Sequence, residues 1–116
     1  MVNFRLLVLR TDDLKKLASF YSLFGLEFDY HKHGNSPFHY SAEMGQMVLE
    51  IYPLAKEQAN PDLNLRLGFA IDDFDDVILK LKENGTAFVL EPKETDFGFM
   101  TIIVDPDGRK VELYKN

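Results

Sequence analysis

The chain has 116 residues, enough for one domain with a real core, and its 46% hydrophobic and 28% charged residues describe a globular protein rather than a disordered or membrane-embedded one. With no cysteine there is no disulfide framework, thiolate nucleophile or thiolate metal site, so imidazole and oxygen are the only strong donors. A formal charge of −6, with no Lys/Arg cluster to override it, argues against nucleic acid as a partner and would favour cationic ligands, although such a charge more often simply keeps a protein in solution.

No apolar run approaches bilayer length, and Met1-Val2-Asn3-Phe4-Arg5 lacks the basic and apolar stretches of a secretory signal. No membrane partner and a cytoplasmic location are therefore expected. Residues 3 to 10 predict a strand with Phe4, Leu6 and Val8 on one face and Arg5, Leu7 and Leu9 on the other, which suggests burial on both sides. Asp12 or Asp13 can cap the following helix. Its Leu14, Leu17, Ala18 and Tyr21 recur at i, i+3, i+4 and i+7, and Gly25 supplies a left-handed stop.

Strands are expected near residues 26 to 32, 37 to 43 and 46 to 52, divided by His33-Gly34-Asn35-Ser36-Pro37 and by Met44-Gly45-Gln46. The third sorts Met47, Leu49 and Ile51 against Val48, Glu50 and Tyr52. Residues 54 to 62 have no apolar periodicity and read as a linker. The chain is thus expected to be a single domain, residues 1–116, with module one at 1–53 and module two at 63–116.

In module two, Leu65, Leu67, Phe69 and Ile71 alternate with Asn64, Arg66, Gly68 and Ala70 as a strand. Asp72, Asp73, Asp75 and Asp76 crowd the start of a helix whose buried stripe is Phe74, Val77, Ile78 and Leu81, and Asn84-Gly85 ends it. Strands near 86 to 91, 97 to 104 and 109 to 115 follow. The last two are joined by Asp105-Pro106-Asp107-Gly108, where proline presets the first turn corner and glycine permits a positive φ. In the final strand Val111 and Leu113 face one way, and Lys110, Glu112 and Tyr114 the other.

The halves repeat each other about 60 residues apart. Leu9-Arg10-Thr11-Asp12-Asp13-Leu14 is echoed by Phe69-Ala70-Ile71-Asp72-Asp73-Phe74, Gly25-Leu26-Glu27-Phe28 by Gly85-Thr86-Ala87-Phe88, and Glu50-Ile51-Tyr52 by Glu112-Leu113-Tyr114. The fold class expected is α+β, two tandem βαβββ modules, with each glutamate on the sheet face away from its helix.

Three histidines, His31, His33 and His39, lie near one hairpin. The two-residue spacing puts His31 and His33 on one strand face, where they could share a metal with Glu43 or an acid across the hairpin, although such turn histidines are more often solvated. Ser19, Ser22, Ser36 and Ser41 sit in no nucleophile elbow, and no glycine-rich phosphate loop occurs. Phe4, Tyr52 and Tyr114 fall by parity on one predicted cavity face with Leu6 and Val8, and Tyr30, Phe38 and Tyr40 can join them from the middle strands.

The doubled βαβββ unit, the helix-end string Phe20-Tyr21-Ser22-Leu23-Phe24-Gly25-Leu26 and the closing Asp105-Pro106-Asp107-Gly108-Arg109-Lys110-Val111-Glu112-Leu113 resemble the vicinal oxygen chelate superfamily. That group includes glyoxalase I, bleomycin-resistance proteins, fosfomycin-resistance enzymes and extradiol dioxygenases. The resemblance implies a cupped mixed sheet with helices outside, a ligand cavity inside and a homodimer. It also implies metal-ligand positions at Leu6, Glu50, Arg66 and Glu112.

Leucine has no donor atom, and a guanidinium cannot ligate a cation, so no metal and no cofactor are expected at those positions. Arg66 is expected instead to bridge Glu50 and Glu112. The function expected from the resemblance is therefore non-catalytic or metal-independent binding of an apolar or cationic small molecule, as in bleomycin-resistance proteins. Leu6, Glu50, Arg66, Glu112, Phe4, Tyr52 and Tyr114 would line the site. The rival expectation is a metal-dependent lyase, isomerase or dioxygenase with a rearranged ligand set.

Overall fold

The computed structural model describes residues 1–116, and its elements follow the order β-α-β-β-β twice, as an α+β fold. Module one comprises β1 (Leu6–Thr11), α1 (Leu14–Ser22), β2 (Asp29–His31), β3 (His39–Met44) and β4 (Met47–Pro53). Module two comprises β5 (Leu67–Ile71), α2 (Phe74–Glu83), β6 (Phe88–Thr95), β7 (Gly98–Val104) and β8 (Lys110–Lys115). Residues Met1–Pro61 and Asp62–Asn116 form two compact units.

Each unit holds one four-stranded mixed sheet, ordered β1-β4-β3-β2 in the first and β5-β8-β7-β6 in the second. The first and last strands of each module run parallel, and the other pairs are antiparallel. A parallel pair cannot be joined by a tight turn, so the helix and two middle strands make the crossover. Asp13, rather than Asp12, caps α1 by accepting the Lys16 N–H at 3.1 Å. In the second copy Asp73 holds the cap position without a side-chain bond.

One face of each sheet is buried beneath its helix. Leu9, Ala42, Leu49 and Ile51 are buried in module one along with Leu17, Ala18 and Tyr21 of α1, and Ile71, Val111 and Leu113 in module two along with Phe74, Val77 and Leu81 of α2. Each such aliphatic side chain contributes about 1.5–3 kcal/mol through burial, which fixes strand register because a one-residue slip would expose them all.

Three expectations change. The first strand is not buried on both sides: it begins at Leu6, and Leu6 and Phe4 are 51% and 64% exposed. Only its helix-side positions Leu9 and Thr11 are sealed. Edge strand β2 is just three residues long. By contrast β6 runs through Pro92 to Thr95, because an edge strand can spare a proline N–H, and its register shifts between Leu90 and Lys93.

The turn between β7 and β8 forms as its residues predict. Asp105 Oδ1 accepts the N–H groups of Asp107, Gly108 and Arg109 at 2.9–3.0 Å, and Gly108 takes φ 107°. Arg109, 1% exposed, folds back to donate to Asp105 Oδ2 (3.1 Å), Asp107 Oδ2 (2.8 Å) and the Asp62 carbonyl (3.0 Å).

Candidate functional site

In module one the face opposite α1 is set by register. Glu50 of β4 sits beside Val8 of β1 and Ser41 of β3, and its neighbours on that face are Val48 and Tyr52. The His39 ring, fully buried, stacks on Tyr52 with centroids 4.1 Å apart, and the Arg10 guanidinium lies 5.1 Å from the Tyr52 ring centre. His39 Nε2 stands 3.6 Å from Glu50 Oε2, within the same module.

The same hairpin brings all three imidazoles together. His31 pairs with His39 across β2 and β3, with ring centroids 4.8 Å apart, and His33 lies 4.6 Å from His31 and 5.3 Å from His39. One donor atom from each of His31, His33, His39 and Glu50 falls within 4.8 Å of the others. The acid beside the histidines is therefore Glu50 rather than Glu43. Folding the hairpin about Asn35 pairs His31 with His39, which is the sequence signal for this cluster.

The middle-strand aromatics lie on the other face. Tyr40 is registered with Ile51 and Tyr30, and so shares the side of the buried aliphatics, away from Glu50. Tyr30 stacks on Phe38 at 5.1 Å and packs on Tyr40 at 4.7 Å. Tyr30, Phe38 and Tyr40 thus do not join Tyr52. The assignment failed because parity along one strand does not fix how it aligns with the next.

A depression of about 590 Å³ opens in module one between Gly25, Leu26, Glu27, Asp29, His31, Ser41 and Glu43. Three carboxylates bound it, and His31 is shared with the imidazole cluster. Sequence reading missed it because its acids come from two separated segments, Glu27 to Asp29 and Glu43, with no motif in common.

In module two Gly68 and Ala70 lie beside Glu112 and Tyr114. These two small residues leave room on that face of β5: a Cβ on Gly68 would stand at ordinary contact, 3.7 Å from the Tyr114 ring. Arg66 Nη2 donates to Glu112 Oε2 at 2.7 Å, and the Tyr114 hydroxyl donates to Glu112 Oε1 at 2.5 Å. The bond to Glu112 raises the Tyr114 pKa above the ordinary range, aided by burial and the carboxylate charge, with Arg66 opposing.

These contacts bear on the metal-ligand positions that the resemblance supplies. Both Glu112 oxygens already accept hydrogen bonds, one from a permanent cation, and Leu6 offers no donor. Leu6 and Arg66 therefore supply no ligand atom for a divalent ion, and Glu112 is already engaged.

Tandem βαβββ modules, each a mixed sheet with one helix-covered face and a last-strand glutamate on the other, define a class of duplicated α+β proteins. The chain belongs to the Glyoxalase/Bleomycin resistance protein/Dioxygenase superfamily, whose pattern it matches over residues 4–113. Among curated proteins, none matches it.

Solved structures share the fold. A hypothetical protein, SA1046, from S. aureus aligns with TM-score 0.79 and 18% identity over 100% of this chain and 95% of its own. TnmS3, an antibiotic binding protein from Streptomyces sp. CB03234, gives 0.79 and 24% over 99% and 96%. A lactoylglutathione lyase from Agrobacterium tumefaciens gives 0.71 and 18% over 100% and 95%.

Proposed function

We propose that the chain is a small-molecule-binding protein without catalysis at the family's metal positions. The observation that carries this is the pairing of Arg66 with Glu112 at 2.7 Å, which puts a fixed cation where a metal ligand would be needed. The likeness to an antibiotic binding protein supports the same reading. Its ligand is an apolar or cationic small molecule. The contacts proposed in module one are Glu50, Tyr52 and the exposed Leu6 and Phe4, and those proposed in module two are Arg66, Glu112 and Tyr114.

A thermal-shift panel of aromatic cations and neutral aromatics tests it. A binder with Kd near 10 μM, present at hundreds of micromolar, stabilises by about 2 kcal/mol. Tyr52→Ala and Leu6→Asp should each weaken the best ligand about tenfold through lost apolar contact. No stabilisation by any compound would remove the reading. A cytoplasmic homodimer belongs to the same proposal, and sedimentation at twice the 13.4 kDa chain mass would bear out its assembly.

The second reading is a metal-dependent lyase, isomerase or dioxygenase with a rearranged ligand set. It is favoured by one observation, the histidines gathered beside Glu50. It requires turnover that a chelator abolishes.

A further inference from the structure

The hairpin of module one gathers donors that the duplication does not account for, since module two has no histidine at all. We propose that His31, His33, His39 and Glu50 form a mononuclear site for a borderline divalent first-row ion such as Zn²⁺. This goes beyond the small-molecule reading and does not rest on it.

Hydrogen bonding fixes the chemistry of the central ligand. His39 Nδ1 lies 3.0 Å from the Pro37 carbonyl oxygen, which can only accept, so Nδ1 carries the hydrogen. Nε2 is left with its lone pair directed at Glu50 Oε2, 3.6 Å away and beyond hydrogen-bond range. Two ligand atoms on a tetrahedral ion, each about 2.0–2.1 Å from it, stand about 3.4 Å apart. The gap therefore suits an ion between the two groups better than a direct bond. A backbone carbonyl holding the far ring nitrogen is also the usual second support of a metal-bound histidine.

The neighbouring ring is in the same condition. His31 Nε2 and His39 Nε2 are both buried without a hydrogen-bond partner. Leaving such a group unsatisfied costs about 1–3 kcal/mol, and here two of them converge on one carboxylate. Glu50, with its side chain 15% exposed, can pair with one imidazole but does not answer the set. An ion answers all of them at once.

The scaffold limits how far the donors can drift. Tyr52 stacks on His39 and fixes its ring plane, while His33 is tied into its turn by its N–H to Ser36 Oγ and its carbonyl from Ser36 N–H, both 2.8 Å. The 4.8 Å spread of donor atoms contracts to a first coordination shell by rotation of side chains, chiefly the exposed His33. Three imidazoles with one carboxylate select zinc-like ions, because Mg²⁺ and Ca²⁺ prefer all-oxygen sets. The adjoining depression, with Glu27, Asp29 and Glu43 on its wall, favours approach of a cation from the His31 side.

The test uses the untagged full chain, stripped with a chelator and titrated with Co²⁺ by visible absorption, then with Zn²⁺ by competition against a chromophoric chelator. One ion per chain is expected, with tetrahedral Co²⁺ bands. His39→Ala would remove buried packing together with a ligand, so the decisive variants are His33→Ala and Glu50→Gln, checked for unchanged circular dichroism. Each should weaken the ion about 10–100-fold, the loss expected when a ligand or its support is removed. Glu112→Gln should leave ion affinity unchanged. Absence of stoichiometric binding, retention of full affinity in His33→Ala, or equal loss in Glu112→Gln would overturn the site. Organic ligands titrated into the stripped protein report on the small-molecule reading separately, so the two can fail independently.

Discussion

Tyr114 shows how one hydrogen bond ties ionisation to stability. Its hydroxyl donates to Glu112, and this bond, more than burial or the nearby charge, raises its pKa above the ordinary tyrosine value. The folded state therefore favours the neutral phenol. The stability so gained is present below the unfolded pKa of about 10 and is lost as pH rises through the higher folded value. In urea melts taken from pH 8 upward, wild type should lose stability above about pH 10 more steeply than Tyr114→Phe. Glu112→Gln should lower the pH at which tyrosinate absorbance appears. Parallel alkaline slopes in wild type and Tyr114→Phe would mean that the bond does not persist in solution.

At the scale of elements, the β7–β8 connection was fully legible and the β2–β3 hairpin was not. Asp105-Pro106-Asp107-Gly108-Arg109 forms by local rules, and the sequence also placed both helices to within a residue or two, since helix periodicity and caps are short-range signals. The hairpin depends on which residue faces which across seven to eleven intervening positions, and there Tyr30, Phe38 and Tyr40 were sent to the wrong face. What the turn sequence did not announce is the burial of Arg109, which sits between Asp105 and Asp107. Desolvation, the largest single influence, lowers its pKa, but the hydrogen bonds to Asp107 and Asp105 together with the charges of both carboxylates outweigh it and raise the value. Arg109→Met would strip the partner from carboxylates whose side chains are 0% and 7% exposed. The expected cost is about 3–5 kcal/mol, a large share of the roughly 5–15 kcal/mol that holds a domain together. Chemical denaturation measures it, and a loss under 1 kcal/mol would show that the turn forms without the arginine. Within this family motif, then, Arg109 fastens a turn rather than meeting a ligand.

At the scale of the molecule, duplication made the two modules readable as copies, and the places where they disagree mark their separate chemistry. Leu6 and Arg66 were legible as losses because a missing donor is visible in one letter, whereas the gathering of His31, His33, His39 and Glu50 required the register of three strands. Charge divides as unevenly. Met1–Pro61 holds six Lys/Arg against seven Asp/Glu, and Asp62–Asn116 holds seven against twelve, so nearly the whole excess of −6 belongs to module two. Asp72, Asp73, Asp75 and Asp76 supply much of it at the start of α2, with Lys115 alone reaching Asp75 at 3.3 Å. A field of that sign attracts cationic ligands over distances limited by the Debye length, which shrinks from about 30 Å at 0.01 M salt to about 8 Å at 0.15 M. For a cationic aromatic ligand the association rate should therefore fall several-fold across that range, with most of the affinity loss on the association side. A neutral aromatic of the same shape should show no such fall, since its binding draws on Tyr52, Leu6 and Phe4 rather than on the field. Stopped-flow association at both ionic strengths separates the two. Identical salt dependence for the charged and neutral ligands would mean that the acidic excess serves solubility alone and that apolar contact sets recognition.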